Sequence, residues 1–394
     1  MPRGYRCAVR DASEALDVLR ADLCGARLLS AFAPGQGVHL VGGAVRDLLL
    51  ERPWRELDVV VEGDVDAAAA RLGGVVAAHE RFGTARVTVG DCAFDLVRAR
   101  AESYAHPGAL PDVRPGTLYD DLHRRDVTVN AIALRLDGTL AAVEGAQDDL
   151  RAGVLRVLHD ASFVDDPTRV WRVARYGARL GFDVDPHTRA LAGAADPTTV
   201  SGDRHGAELR LALNEPDPLA ALQAVAELNP GYLPEGFDPH PRALPAALDL
   251  LPADGRRDLL TLAACTAGMD TRALLAWLDD MGFVAAERDR VAAASRYSTG
   301  KPLRAARTNA EIARAARGAP VEAVALAGGE NARRWLADLR DVGLEINGDD
   351  LLAAGVPQGP EIGARLQRAL DRKLDGEIAG REQELATALA RDGG

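Results

Sequence analysis

The chain has 394 residues, 47% of them hydrophobic and 27% charged, enough for two to four domains with sizeable cores. Aromatic residues make up only 4%, which speaks against a protein built on stacking platforms for single strands. With 47 basic against 59 acidic residues the formal charge is −12, which excludes a uniformly basic nucleic-acid coat but not a local basic cleft.

Leu16, Leu19, Leu23 and Leu28 recur near helical spacing and predict one amphipathic helix over 13–32. A short strand, Val38-His39-Leu40-Val41, breaks at Gly42-Gly43, and a helix follows over 44–50. The next strand runs from Leu57 to Val61 and ends at Glu62-Gly63. Residues 64–72 read as helix, and 75–79, 84–90 and 92–98 as β-runs, the last two hinged at Gly90-Asp91. Residues 103–117 hold three prolines and two glycines and predict a loop long enough to be functional. After the apolar strand 131–136, almost nothing beyond residue 150 reads as strand. The expected fold is therefore an α/β head with a mixed sheet over 1–150, a helical neck over 151–213 and a helical body and tail over 217–394.

The four cysteines, Cys7, Cys24, Cys92 and Cys265, form no C-x-x-C pair and sit by no histidine cluster. They predict neither a disulfide framework nor a zinc site, and they match a reducing cytoplasm. No stretch reaches the ~18 continuous apolar residues of a membrane span. The start, Met1-Pro2-Arg3-Gly4, carries no apolar signal core, so a soluble cytoplasmic protein is expected.

Four clusters carry chemistry. Gly42-Gly43-Ala44-Val45-Arg46-Asp47 lies between a strand and a helix, where paired glycines admit a ligand close to the backbone. The helix start is a natural phosphate seat to which Arg46 adds a charged fork; alone, the segment is equally a plain strand–turn–helix. Glu56 and Asp58 stand two apart at a strand start, hence on one face, and paired carboxylates there suit Mg²⁺ or, alone, form a solvated polar strand start. Asp95, on a later strand, is a candidate third carboxylate or equally a surface residue of that strand's alternation. Arg124-Arg125-Asp126 with Asn130 can hold a ribose and phosphates, or simply form a charged loop. Asp166, Arg169, Arg172 and Arg175 step by three along a helix that Asp166 is expected to cap, with Pro167 in the first turn. They form a base-reading edge or a solvated stripe. In Ser201-Gly202-Asp203-Arg204, Arg204 and Glu208 read most simply as an i,i+4 ion pair.

In order and spacing over residues 36–213, these segments resemble the class II tRNA nucleotidyltransferase and poly(A) polymerase family, which extends RNA 3′ ends without a nucleic-acid template. The likeness is clearest in LVGGAVRD, RRDVTVNA, SFVDDPTRVWRVARYGARLGF and SGDRHGAEL. The phrases VVVEGD, FGTARV, ESYAHPGALPDV and GAQDDLRAGVLRVLH are similar to the branch of CCA-adding and A-adding enzymes, and INGDDLLAAGVPQGPEIGARL more loosely to its C-terminal RNA-binding region.

The resemblance implies that Gly42, Gly43 and Arg46 hold a triphosphate and that Glu56 and Asp58 are the catalytic, Mg²⁺-binding pair. It implies that Arg125 and Asp126 bind phosphate and read the ribose. Asp166 and Arg169 would then read the incoming base, with Arg172 and Arg175 completing the nucleotide site. The implied activity is addition of CMP and/or AMP from CTP and ATP to the 3′ end of tRNA; the alternatives are a poly(A) polymerase or a non-catalytic RNA-binding relative. Glu56 stands where the family has aspartate, which predicts altered activity, and Val127 replaces the usual Phe. Residues 151–213 carry nine arginines and eight acids, so this stretch is the expected RNA-facing and nucleotide-facing cleft.

Overall fold

The computed structural model describes residues 8–54, 56–79 and 83–390. Met1–Gly4, Cys7 and Phe82 of the sequence reading lie outside them. The chain divides into two compact units, one up to Leu233 and one from Pro234.

The first unit opens with two helices where one is expected: α1 (Ala12–Ala21) and α2 (Leu23–Ala31). The break falls at Asp22, whose carboxylate caps α2 by accepting from the amides of Cys24 and Gly25. There follow β1 (Val38–Val41), α3 (Gly42–Leu49), β2 (Leu57–Val61), α4 (Val65–Leu72), β3 (Val75–His79), β4 (Thr84–Val89) and β5 (Cys92–Arg98). After β6 (Arg100–Ser103), β7 (Asp112–Pro115) and α5 (Leu118–His123), β8 (Ile132–Arg135) and β9 (Leu140–Ala142) complete the strands of the head.

Seven strands form one mixed sheet in the order β3-β4-β5-β2-β1-β8-β9. β2 and β5 run parallel and the other neighbours antiparallel. Leu40, Val59, Phe94, Leu96 and Leu134 are wholly buried in its core. Burying each such leucine or phenylalanine contributes roughly 2 kcal/mol.

Two further expectations are overturned in the head. The stretch 103–117 is not all loop: its ends belong to a β6–β7 hairpin, Ser103 pairing with Asp112 and Arg100 with Pro115. And Cys24 of α2 is disulfide-bonded to Cys92 of β5, with Cα atoms 5.3 Å apart. The two lie 68 residues apart, a spacing with no local pattern to announce it. Cys265 is a buried free thiol.

The unit continues with α6 (Ala146–Ala152), α7 (Ser162–Asp165), α8 (Arg169–Leu180), α9 (Pro186–Gly193), α10 (Gly202–Leu213) and α11 (Pro218–Leu228). α8 buries Val170, Trp171, Val173 and Ala174, and the Trp171 indole donates to His205 Nδ1 of α10 at 3.2 Å. Its opposite stripe carries arginines, so one helix supplies both core and site.

The second unit is helical, with no strand among its described residues. One core gathers Leu303, Ile312 and Val324, another Ile346, Leu351 and Ala369. No helix of the described residues is long and apolar enough to cross a membrane.

Candidate active site

The site begins where β1 stops. Gly42 opens α3 with φ +67°, a conformation that favours glycine. A Cβ there would lie 2.6 Å from Arg125 Nη1 and 3.8 Å from Asp58 Oδ2, so its bareness lets three chain segments meet. One turn on, Arg46 is buried and donates to Asn130 Oδ1 at 2.5 Å while pairing with Asp47 at 2.8 Å. Gly43 and Arg46 both face the cavity described below.

Asp58 lies on β2 opposite Asp95 of β5 in the parallel register, and Asp95 lies opposite Arg86 of β4. Burial pushes the Asp58 carboxyl up to about 6; Arg125 and Arg46 oppose this, and the negative charges of Asp95 and Glu56 add to it. Glu56, exposed just before β2, accepts from Arg86 at 2.5 Å, and that hydrogen bond outweighs its slight burial and holds it below the usual carboxylate range. Among the described residues no three His, Cys, Asp or Glu form a ready-made metal cluster. Mg²⁺, however, commonly takes one or two protein carboxylates and completes its shell with substrate phosphates and water. Asp58, a hard oxygen donor whose proton affinity the neighbouring charges of Asp95 and Glu56 raise, fits such an ion.

The segment after α5 supplies the next wall. Asp121, wholly buried, accepts from Arg124 at 2.5 Å and Arg125 at 2.8 Å and so aims both guanidiniums. Buried Arg125 Nε donates to no protein atom, a donor suited to an anion. Asp126 is buried with four donors on its two oxygens: Val127 N (2.8 Å) and Asn130 Nδ2 (3.0 Å) on one, Arg172 Nε (2.7 Å) and Tyr176 Oη (3.1 Å) on the other. Burial raises its pKa, but Arg172 and these hydrogen bonds prevail and hold it far below the usual aspartate range. A carboxylate has about four acceptor positions, so Asp126 is saturated by protein.

Asp166 does not cap α8. The helix starts at Arg169 behind Thr168, and Asp166 instead accepts from the Thr168 amide (3.1 Å) and hydroxyl (2.6 Å) and from Arg204 (3.0 Å), all on Oδ1. Arg204 is thus paired away from Glu208, contrary to the i,i+4 expectation; Glu208 takes Arg175 at 2.6 Å. Arg169 is fastened to Ser162 Oγ (2.9 Å), the Arg124 carbonyl (2.9 Å) and the Tyr104 hydroxyl (3.4 Å).

These walls enclose a cavity of about 440 Å³. Of the sequence-predicted residues it brings together Gly43, Arg46, Asp58, Arg125, Asp126, Asp166, Arg169 and Arg172. Gly42, Glu56 and Arg175 are not in its lining; Arg175 turns to Glu208 and Glu215. Seven arginines against four acids line it, a local excess of positive charge in an acidic chain. Sequence reasoning missed Arg100, Glu102 and Tyr104, which alternate along β6 and beyond, and Tyr176 and Arg179 of α8. The i,i+2 alternation leading into the proline-rich stretch is the signal that marks the first three. Glu102 accepts from Arg100 (2.9 Å), Arg124 (3.1 Å) and Tyr104 (3.1 Å), joining the hairpin to the Arg169 wall. Burial pushes the Tyr104 hydroxyl up to about 12 against the pull of Arg169.

Residues 38–156 match the poly A polymerase head domain. The chain is 34% identical to an A-adding tRNA nucleotidyltransferase of Geobacter sulfurreducens over 89% of its own length and 45% of the relative's. It is 42% identical to a CC-adding tRNA nucleotidyltransferase of Deinococcus radiodurans over 52% of its length and 57% of the relative's. The chain thus spans about half the length of the sequence relatives it matches. A Thermotoga maritima CCA-adding enzyme complexed with tRNA superposes with a TM-score of 0.74 at 26% identity, over 97% of this chain and 98% of that one.

Proposed function

We propose, from the premise that this chain belongs to the tRNA nucleotidyltransferase and poly(A) polymerase family, that it adds AMP, with or without CMP, to the 3′ end of tRNA. The observation that carries this reading is a single cavity with a carboxylate, Asp58, in one wall, the Asp166 carboxylate and the Arg169 guanidinium in another, and arginines around both. That is the layout a nucleoside triphosphate needs: anion donors for the phosphates and a polar edge for the base.

In the reaction the RNA 3′-oxygen bonds to the α-phosphorus of ATP or CTP, the bond to pyrophosphate breaks, and the hydroxyl proton is lost. Gly43, Arg46 and Arg125 bind the phosphates. Asp126, with its acceptors filled, fixes Arg172 and Asn130, and through Asn130 fixes Arg46; it meets a ribose hydroxyl only by exchanging one of these donors. Asp166 and Arg169 read the base, rejecting others by leaving donors or acceptors unpaired. Glu56 and Asp58 would hold Mg²⁺, which when bound lowers the pKa of the attacking hydroxyl and stabilises the leaving charge. The helical residues 217–394 bind the RNA body, and the chain works in the cytoplasm, a placement that rests on the reaction and not on the cysteines, two of which are bonded.

Incubating the protein with a tRNA lacking its CCA end, with CTP and ATP singly and together, tests the reading. One added A, or CCA, supports it. A long A tract indicates a poly(A) polymerase, and binding without incorporation a non-catalytic relative. The hairpin beside Arg169 favours AMP addition, since ESYAHPGALPDV is similar to the branch of CCA-adding and A-adding enzymes, in which the resemblance implies that a working loop here goes with AMP incorporation.

A further inference from the structure

Three strands of the head place one cation of the chain itself among the acids of the site. Arg86 on β4, Asp95 on β5 and Asp58 on β2 are cross-strand partners in register, and such partners share a face of the sheet. From that row Arg86 spans two acids at once, with Nη2 2.5 Å from Glu56 Oε1 and Nη1 3.4 Å from Asp95 Oδ2. All three side chains are 30–49% exposed, so the contacts cost little to break. The length of residue 56 matters here. An aspartate would carry its carboxylate about 1.5 Å less far. Glu56 has the reach to leave Asp58 for Arg86.

We infer that Arg86 is an internal competitor for the divalent cation. Its guanidinium occupies oxygens of Glu56 and Asp95 that face the same site as Asp58, so that the site binds the ion weakly until triphosphate oxygens join the coordination. The inference rests on the reading that Glu56 and Asp58 are the metal-binding pair. It adds two things to that reading: a reason for glutamate at 56, and an order in which nucleotide strengthens metal binding. Two carboxylates released from one guanidinium become ligands or near neighbours of a bound cation, and both effects tighten its hold. Exposed ion pairs shift equilibria by a few-fold, which sets the size of the effect.

The test titrates Mn²⁺ into the full chain without nucleotide, counting free ion by electron paramagnetic resonance, for the wild type, R86A, R86Q and D58N. Melting curves accompany each variant; Arg86 is half exposed, so no core is lost. R86A and R86Q are expected to bind Mn²⁺ roughly three- to tenfold more tightly than wild type, and D58N to lose binding. Unchanged or weaker binding in both Arg86 variants, with D58N losing the ion, overturns the competitor role while the metal assignment stands. Wild-type affinity in D58N overturns the metal assignment and the competitor role with it.

Discussion

Asp166 and Arg204 stand 38 residues apart in the chain and are joined at 3.0 Å, while the same guanidinium donates to the carbonyl of Gly108 at 2.8 Å. One arginine therefore ties the proposed base-reading acid to the tip of the β6–β7 hairpin. Arg204→Ala is expected to keep the fold and to reduce discrimination against UTP and GTP roughly tenfold, raising KM more than it lowers kcat. Asp166→Ala and Arg169→Ala should relax selectivity likewise. Single-nucleotide incorporation on a tRNA lacking its CCA end measures this; unchanged selectivity in all three moves base reading elsewhere.

The hairpin tip itself is docked, not loose. The Gly108 amide donates to the Val164 carbonyl at 3.0 Å, and a Cβ at Gly108 would lie 2.2 Å from the Thr199 carbonyl oxygen. Deleting 105–110 removes these anchors along with a partner of Arg204. AMP addition should fall much further than CMP addition, by about a hundredfold if the tip positions Arg169 through Tyr104. Equal losses of both, with an unchanged melting temperature, would make the tip a passive wall.

Asp58→Ala is expected to cut nucleotide transfer by at least about a hundredfold while tRNA affinity persists, because it removes chemistry and not core. Glu56→Asp should raise activity or lower the Mg²⁺ concentration needed, since the shorter side chain draws back from Arg86. A fall in activity at every Mg²⁺ concentration would mean that the site has adapted to glutamate.

Gly42→Ala tests the three-segment meeting point. The φ of +67° and the 2.6 Å approach to Arg125 Nη1 together predict a loss on the order of 1–3 kcal/mol, part of it in folding. The remainder should show as a raised KM for the triphosphate as Arg125 is pushed aside. A variant with wild-type KM and melting temperature would remove Gly42 from the site.

Acid stability should report on Asp126. Its carboxyl is held below the ordinary 3.8, so the folded protein keeps it charged where the unfolded chain takes up a proton. The stabilisation is full above about pH 4 and is lost as pH falls below that toward the folded value. Asp126→Asn removes the buried carboxylate that holds Arg172, itself 39% exposed, and should cost on the order of 2 kcal/mol at pH 7, several degrees in Tm. The gap to wild type should narrow as the pH drops below 4; a gap independent of pH would show that packing, not charge, does the work.

The head was legible because its strands are short apolar runs cut by Gly42-Gly43, Glu62-Gly63 and Gly90-Asp91, each a local signal. The distant partners that aim the site were not. Asp121 stands at helical i,i+3 and i,i+4 spacing from Arg124 and Arg125, whereas Arg204 and Asn130 act across 38 and 84 residues, through side chains whose meeting depends on packing rather than on periodicity. The same holds for Arg86, which reads as a plain solvent-side residue of β4 until Asp95 is set opposite it. Local competition explains the smaller misses. Asp22 caps a second helix and so divides the first, and Asp166 bonds to Thr168 in a turn that delays the start of α8.

The order of strands in the sheet has a consequence for how the protein is made. β1, which leads into Gly42, is flanked by β2 and β8, and β8 is not synthesised until residue 132. A nascent or truncated chain ending short of that point carries β1 as an open sheet edge of apolar residues, a template for pairing with other chains. Fragments that stop between β5 and β8 should therefore be insoluble, and any working excision of this head must run past Ala142.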